Sequence, residues 1–190
     1  MLNLHFVTDR LATGGDLPED GEAAVSVLGD WHRLGITHVV DTRFEWTDED
    51  FVAEHAPALR YLHNGTDDAG QRMPDEWFDE GVAFIADALS DPDSKVLVHC
   101  HMGINRGPSL AYAALLHIGW DPVTAIAAIR SARPIAAVGY AEDALRWHHH
   151  RTGADPKNRA SDRMRLRAWR ADNWIDVRRI IRSIRAAEAS

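Results

Sequence analysis

One segment constrains this 190-residue chain more than any other: Lys95-Val96-Leu97-Val98-His99. It is a short aliphatic, β-branched run that follows the turn residues Asp91-Pro92-Asp93, and it is the clearest strand in the chain. A loop follows, Cys100-His101-Met102-Gly103-Ile104-Asn105, and then Arg106-Gly107-Pro108-Ser109 opens a helix. An apolar strand that feeds a helix through a short loop is the building unit of an α/β fold, whose ligand sites gather at the carboxyl ends of the strands.

The remaining sequence repeats this alternation. Strands are predicted at Leu4–Val7, Leu11–Ala12, Thr37–Asp41 and Arg60–His63, and helices at Glu22–Leu34 and Asp48–His55. Asn64 to Met73 is polar and contains glycine, so it reads as a loop. Pro74 then opens a helix with Trp77, Phe78, Val82, Ile85 and Leu89 on one face. Further helices are predicted at 107–118, 122–132 and 139–150. The expected fold is α/β, a central and mostly parallel sheet flanked by helices. Trp31, Trp120 and Trp147 are expected as core or rim packing.

Charge divides the chain. Residues 1–156 carry 11 Lys+Arg against 25 Asp+Glu, a balance of −14, whereas residues 157–190 carry 10 against 4, a balance of +6. We place a domain at 1–151. Residues 152–190 are expected to hold a linker and a basic amphipathic C-terminal helix, with Trp174, Val177, Ile181 and Ile184 at helical spacing between Arg178, Arg179, Arg182 and Arg185. Such a helix could meet nucleic acid or an anionic membrane. Given the negative total of −8, the expectation is that its apolar face packs on the domain and its arginines meet the acidic body. Neither nucleic acid nor membrane is an expected partner.

The single cysteine excludes an intramolecular disulfide. The start, Met1-Leu2-Asn3-Leu4-His5, shows no basic segment ahead of an apolar one, so no secretory leader is expected, and a reducing, cytoplasmic setting follows. His148-His149-His150 invites a metal reading, but no ligand partner stands near it in sequence, and a solvated helix end is expected instead. No metal or other cofactor is called for.

The chemistry gathers at Cys100. A loop between a strand end and a helix start turns its N–H groups inward and binds an oxyanion, and the helix dipole adds positive charge. Gly103 permits the tight turn. Arg106 can fork two hydrogen bonds to a phosphoryl group. The same donors stabilise a thiolate, the form in which cysteine is a nucleophile.

His99-Cys100, five residues and Arg106, with Gly103 inside and Pro108-Ser109 after, resemble the signature loop of the dual-specificity branch of the protein tyrosine phosphatase superfamily. The resemblance extends from about residue 4 to 150, through Leu11-Ala12-Thr13-Gly14-Gly15, Gly35-Ile36-Thr37-His38-Val39-Val40-Asp41 and the helix with Trp77-Phe78. It implies phosphomonoester hydrolysis through a phosphocysteine. Cys100 would be the nucleophile, Arg106 and the loop His101–Asn105 the substrate-binding groups, and Asp68, 32 residues before Cys100, the general acid. Asp67 is its direct rival, and spacing favours Asp68. His99 is expected to hydrogen-bond near the loop as a supporting group, and Ser109 to support the helix start. The implied partner is a phosphorylated substrate, and the absence of lysine from the loop argues against highly charged inositol phosphates.

Two positions depart from the family pattern. Gly107 stands where the family has a serine or threonine whose hydroxyl assists the second chemical step. Arg133-Pro134-Ile135-Ala136-Ala137-Val138-Gly139-Tyr140 lacks the asparagine that braces the loop in relatives, so rigidity must come from elsewhere. Gly107 alone supports a slow phospho-ligand binding module as an alternative. A rhodanese-like sulfur transferase, which also holds cysteine in an anion-binding loop, is the other.

Overall fold

The computed structural model describes residues 3–188. Met1 and Leu2, part of the segment read for a leader, and residues 189–190 at the end of the basic tail lie outside them. Five strands form one sheet: β1 (Leu4–Phe6), β2 (Leu11–Gly14), β3 (His38–Arg43), β4 (Arg60–Thr66) and β5 (Val96–His99). Their order is β1-β2-β5-β3-β4. Only the β1–β2 pair is antiparallel. β5 is therefore central, with β2 and β3 paired to it on either side.

Alternation along the strands explains the layers. Leu11, Val40, Val96 and Val98 enter one apolar cluster, and Ala12, Val39 and Leu97 enter the other. Successive strand side chains point to opposite faces, so both faces of the sheet must be covered. On the second face lie α1 (Gly21–Arg33) and α2 (Glu49–His55), which contribute Leu28, Trp31 and Val52. The first face carries α3 (Asp75–Ser90), α4 (Arg106–His117), α5 (Pro122–Ala132) and α6 (Ala141–Thr152). α4 is buried from Arg106 to Leu116 and packs against α3, α5, α6 and the sheet. Trp147 packs beside Phe78 in the same cluster.

Two segments differ from the sequence reading. β4 continues through Asn64 to Thr66 where a loop was predicted. Asn64 is clipped to α3 by two hydrogen bonds, its Nδ2 donating to the Trp77 carbonyl (3.0 Å) and the Trp77 indole N–H donating to the Asn64 carbonyl (2.9 Å). The tail holds two helices, α7 (Pro156–Asp172) and α8 (Val177–Glu188), where one was expected. Asp155-Pro156, read as linker, is a helix start. The Asp155 carboxylate accepts from the N–H groups of Lys157 and Asn158, and proline occupies the first turn.

α7 belongs to the core, with Leu166 fully buried and Trp169 packed against the cluster. Its arginines meet the acidic body: Arg165 pairs with Asp121 and Arg167 with Glu142, both at 2.7 Å. Those of α8 do not. Arg178, Arg179, Arg182 and Arg185 make no ion pair among the described residues. The histidine run is not a free solvated end either, since His149 is buried and 3.0 Å from Asp162, and His150 is 3.1 Å from Asp75. No helix among the described residues is long and apolar enough to cross a membrane.

Candidate active site

β5 delivers Cys100 to the carboxyl edge of the sheet, buried, with its N–H directed at the Gly14 carbonyl (3.4 Å). The loop then turns back to α4 through Gly103, whose φ of +62° is left-handed. A side chain there would be strained, and it would also strike Gly14 and Arg133.

The carbonyls from His101 to Asn105 are all held. That of His101 accepts from the Asp16 N–H (3.1 Å), that of Ile104 from Ala137 (2.7 Å) and that of Asn105 from Ser109 (2.9 Å). Arg133 takes the other two, its Nη2 donating to the Met102 carbonyl (2.8 Å) and its Nε to that of Gly103 (2.6 Å). In contrast, the main-chain N–H groups of His101 through Asn105 donate no hydrogen bond among the described residues. With every acceptor turned outward, the donors are left for an anion, which is the geometry of a backbone nest.

Arg133 supplies the rigidity that the missing asparagine would have given. Only 2% exposed, it is anchored in turn by the Asn3 side chain (2.8 Å) and by His5 Nδ1 (3.0 Å). Burial pulls it below its ordinary pKa, while nearby Cys100 acts in the opposite direction. Arg133 was not foreseen as a site residue. Its presence in the departing segment was the only signal available.

Arg106, at the start of α4, is buried. The expected fork to a phosphoryl group needs correction. Its Nη1 and Nη2 fork onto the Glu45 carboxylate at 2.7 and 3.0 Å, and Nη1 also donates to the Thr66 carbonyl (2.9 Å). The second Nη2 hydrogen is uncommitted, and Arg106 Nε is buried and wholly without a hydrogen-bond partner, 3.8 Å from Asp68 Oδ2. An unpartnered buried guanidinium N–H calls for an acceptor. Burial works against the charge of Arg106, but Glu45, Cys100 and Asp68 together raise its pKa above the ordinary value. Glu45 was also unforeseen. Its own carboxyl is held below the usual range, chiefly by the hydrogen bonds from Arg106.

Asp68 and Asp67 part company here. Asp68 Oδ1 accepts from Asn105 Nδ2 (2.5 Å) and from the Tyr140 hydroxyl (2.9 Å), while Oδ2 faces Arg106. Tyr140 is pushed up to about 12 by burial and by the Asp68 charge, so it stays protonated and donates. Asp67 is exposed, as Asp68 is, but its side chain accepts only from the Asp68 N–H (2.7 Å) among the described residues. Asn105 links both sides, because its Oδ1 also accepts from the Gly139 N–H (2.5 Å). Ser109 is buried beneath it, its hydroxyl 3.5 Å from Asn105 Oδ1 and accepting from the Tyr140 N–H (3.2 Å).

His99 departs from expectation. Its ring lies behind Cys100, fully buried, and neither nitrogen has a hydrogen-bond partner. It sits 3.9 Å from Asp41 Oδ1 and against Trp31. Burial drives it down to about 4, so it is neutral at pH 7. Its main chain contributes instead, with the carbonyl accepting from the Thr42 hydroxyl (2.7 Å). Beside it lies a network the sequence reading missed, in which Arg43 forks onto Asp41 (2.9 and 2.7 Å) and also reaches Asp48 (2.5 Å). Gly107 has a packing reason, since a Cβ there would lie 3.0–3.1 Å from the His99 and Val98 main chain.

Among known proteins, the family model described as "Dual specificity phosphatase, catalytic domain" matches residues 22–141. Dual specificity protein phosphatase 26 of Rattus norvegicus is 37% identical over 87 residues, which are 44% of this chain and 40% of that protein. Dual specificity protein phosphatase 13B of Mus musculus is 36% identical over 92 residues, covering 44% and 43%. The matches thus span less than half the length of these relatives. Among solved structures, PTPMT1 superposes with a TM-score of 0.64 at 20% identity, over 79% of this chain and 96% of that one. Human DUSP28 gives 0.63 at 20%, over 79% and 95%. At such identity the structures speak for the fold, a protein tyrosine phosphatase-like α/β sheet. With the family model covering more than half of its residues, the chain belongs to the dual-specificity phosphatase catalytic-domain family.

Proposed function

We propose that this protein is a cysteine-based phosphomonoester hydrolase. The observation that carries the reading is the polarity of the loop after β5, with every carbonyl from His101 to Asn105 tied outward and the corresponding N–H groups free around Cys100. In this reading the loop amides and Arg106 Nε hold the phosphoryl oxygens, and Glu45 fixes the guanidinium so that Nε points inward. The Cys100 thiolate attacks phosphorus and the P–O ester bond breaks. Asp68 gives its proton to the departing oxygen. Water then attacks the phosphocysteine, Asp68 takes back a proton, the P–S bond breaks, and phosphate leaves with the thiolate restored. General acid–base help of this kind is worth about 10²–10⁴-fold.

The family comparison supports the same reaction, and neither alternative gains from the geometry. A binding module has no use for the nucleophile and the proton donor together. The test is hydrolysis of p-nitrophenyl phosphate and phosphotyrosine peptides. Wild-type protein should turn over, and Cys100→Ser should bind without turnover. Activity surviving in Cys100→Ser defeats the proposal.

A further inference from the structure

A cleft of about 720 Å³ lies beside the phosphate loop and not within it. Its walls include Leu17, Trp46 and Phe51, its rim carries Asp16, Glu19 and Asp48, and His101 of the loop itself closes one end. The volume is that of a pocket for a sizeable organic group, far more than a phosphate needs. No lysine or arginine lines it.

We infer that this cleft seats a basic side chain flanking the phosphorylated residue of a peptide substrate. The inference rests on the phosphatase reading and names its substrate class. Proximity comes from the segment after β3: Glu45 grips Arg106 while its neighbour Trp46 lines the cleft, so the cleft begins where the phosphate site ends. Its charge comes from the rim. Asp48 is engaged by Arg43, and Asp16 by His101 at 2.7 Å and Arg43 at 3.6 Å, whereas Glu19 makes no ion pair or hydrogen bond among the described residues. Arg43 is itself enclosed, 1% exposed, and presents no cation to a guest.

Recognition comes from the aromatics. Phe44 and Trp46 stay 70% and 46% exposed on one loop, and Trp46 turns part of that open apolar surface to the cleft. Trp46 already stacks with Arg43, the guanidinium carbon lying 5.1 Å from the ring, and meets His101 edge-on. A guest cation held by an aromatic face and a free carboxylate combines two attractions. A second phosphate or an acidic neighbour would meet the carboxylates of Asp16, Glu19 and Asp48 with no lysine or arginine beside them, so the same cleft discriminates against polyanions.

The experiment compares kcat/KM for three phosphotyrosine peptides that differ only in arginine, alanine or glutamate beside the phosphoresidue, each referred to p-nitrophenyl phosphate. Arginine should exceed alanine by about tenfold, and glutamate should fall below it by a similar factor. Glu19→Lys should abolish or invert the order. Equal values for the three peptides, or a phosphoinositide preferred over the arginine peptide, overturn the inference while turnover of p-nitrophenyl phosphate leaves the phosphatase reading standing. If the wild type turns over nothing, peptide binding to Cys100→Ser by fluorescence polarisation decides: preference for arginine upholds the cleft, and its absence overturns it.

Discussion

Arg133→Met is the sharpest perturbation of this site, because it leaves every proposed reacting group in place. Methionine keeps most of the apolar stem but removes the donors to the Met102 and Gly103 carbonyls, at 2.8 and 2.6 Å, and the anchors to Asn3 and His5. A hydrogen bond from a charged donor contributes about 1.5–3 kcal/mol, so losing the two at the loop removes about 3–6 kcal/mol in gross terms. The buried guanidinium also carries a desolvation cost, seen in its lowered pKa, and losing it offsets part of that sum. The net expectation is a stability loss of about 2–3 kcal/mol by urea unfolding, within the range for a broken buried polar network.

The effect on catalysis should be separable. Freed carbonyls let the peptide units of the loop rotate, and the N–H groups then no longer converge on one anion. A misaligned oxyanion site costs about 10²–10³-fold in kcat. Arg133→Lys should recover only part of the loss, since an ammonium cannot reproduce the planar fork that meets two successive carbonyls. The assay is kcat and kcat/KM on p-nitrophenyl phosphate well below the unfolding midpoint. A folded Arg133→Met with wild-type kcat/KM would refute the reasoning, and the bracing role with it.

Asp68→Asn should lower kcat by about 10²–10⁴-fold and erase the limb of the pH–rate profile that reports the proton donor, while Asp67→Asn keeps that limb; the reverse result reassigns the acid. Gly107 should make phosphocysteine breakdown slow, so stopped-flow release of p-nitrophenol from the wild type should show a burst, and a strictly linear trace counts against this. Gly107→Ser should shrink the burst at a cost of about 1–3 kcal/mol in stability, because its Cβ crowds the His99 and Val98 main chain at 3.0–3.1 Å. Stability should also depend on His99. An unfolded chain protonates this residue near 6.5 and the native state only near 4, so its contribution is complete above pH 6.5 and lost as the pH falls towards 4, by up to about 3 kcal/mol. His99→Leu should remove that part of the acid slope in urea midpoints, and parallel slopes for the two proteins would contradict it.

Local pattern alone determined the strand Val96–His99, the loop from Cys100 to Arg106 and the helix behind it, since hydrophobic period, a mid-loop glycine and a proline near the helix start act within a few residues. The same signals placed a strand or helix close to nearly every element up to α6. They failed at α7, where Leu166 is the single buried residue and the apolar stripe is too thin to read, although Asp155-Pro156 did mark its start. They also gave β4 too early an end, because its last residues are carried by pairing with β3 across a register shift, Arg43 beside Thr66, and by the clip of Asn64 to Trp77.

Tertiary structure decided how the loop is held and aimed. Arg133 reaches Asn3 across 130 positions, Arg106 reaches Glu45 across 61 and Asp68 reaches Tyr140 across 72. No periodicity encodes contacts at such separations; they exist because strand order puts β5 between β2 and β3 and so gathers the loops of distant segments at one edge. For the same reason the choice between Asp67 and Asp68 was open in the sequence. Adjacent residues differ by a single position in spacing, which ranks Asp68 first by a narrow margin, whereas the side on which Asn105 and Tyr140 lie separates the two side chains outright.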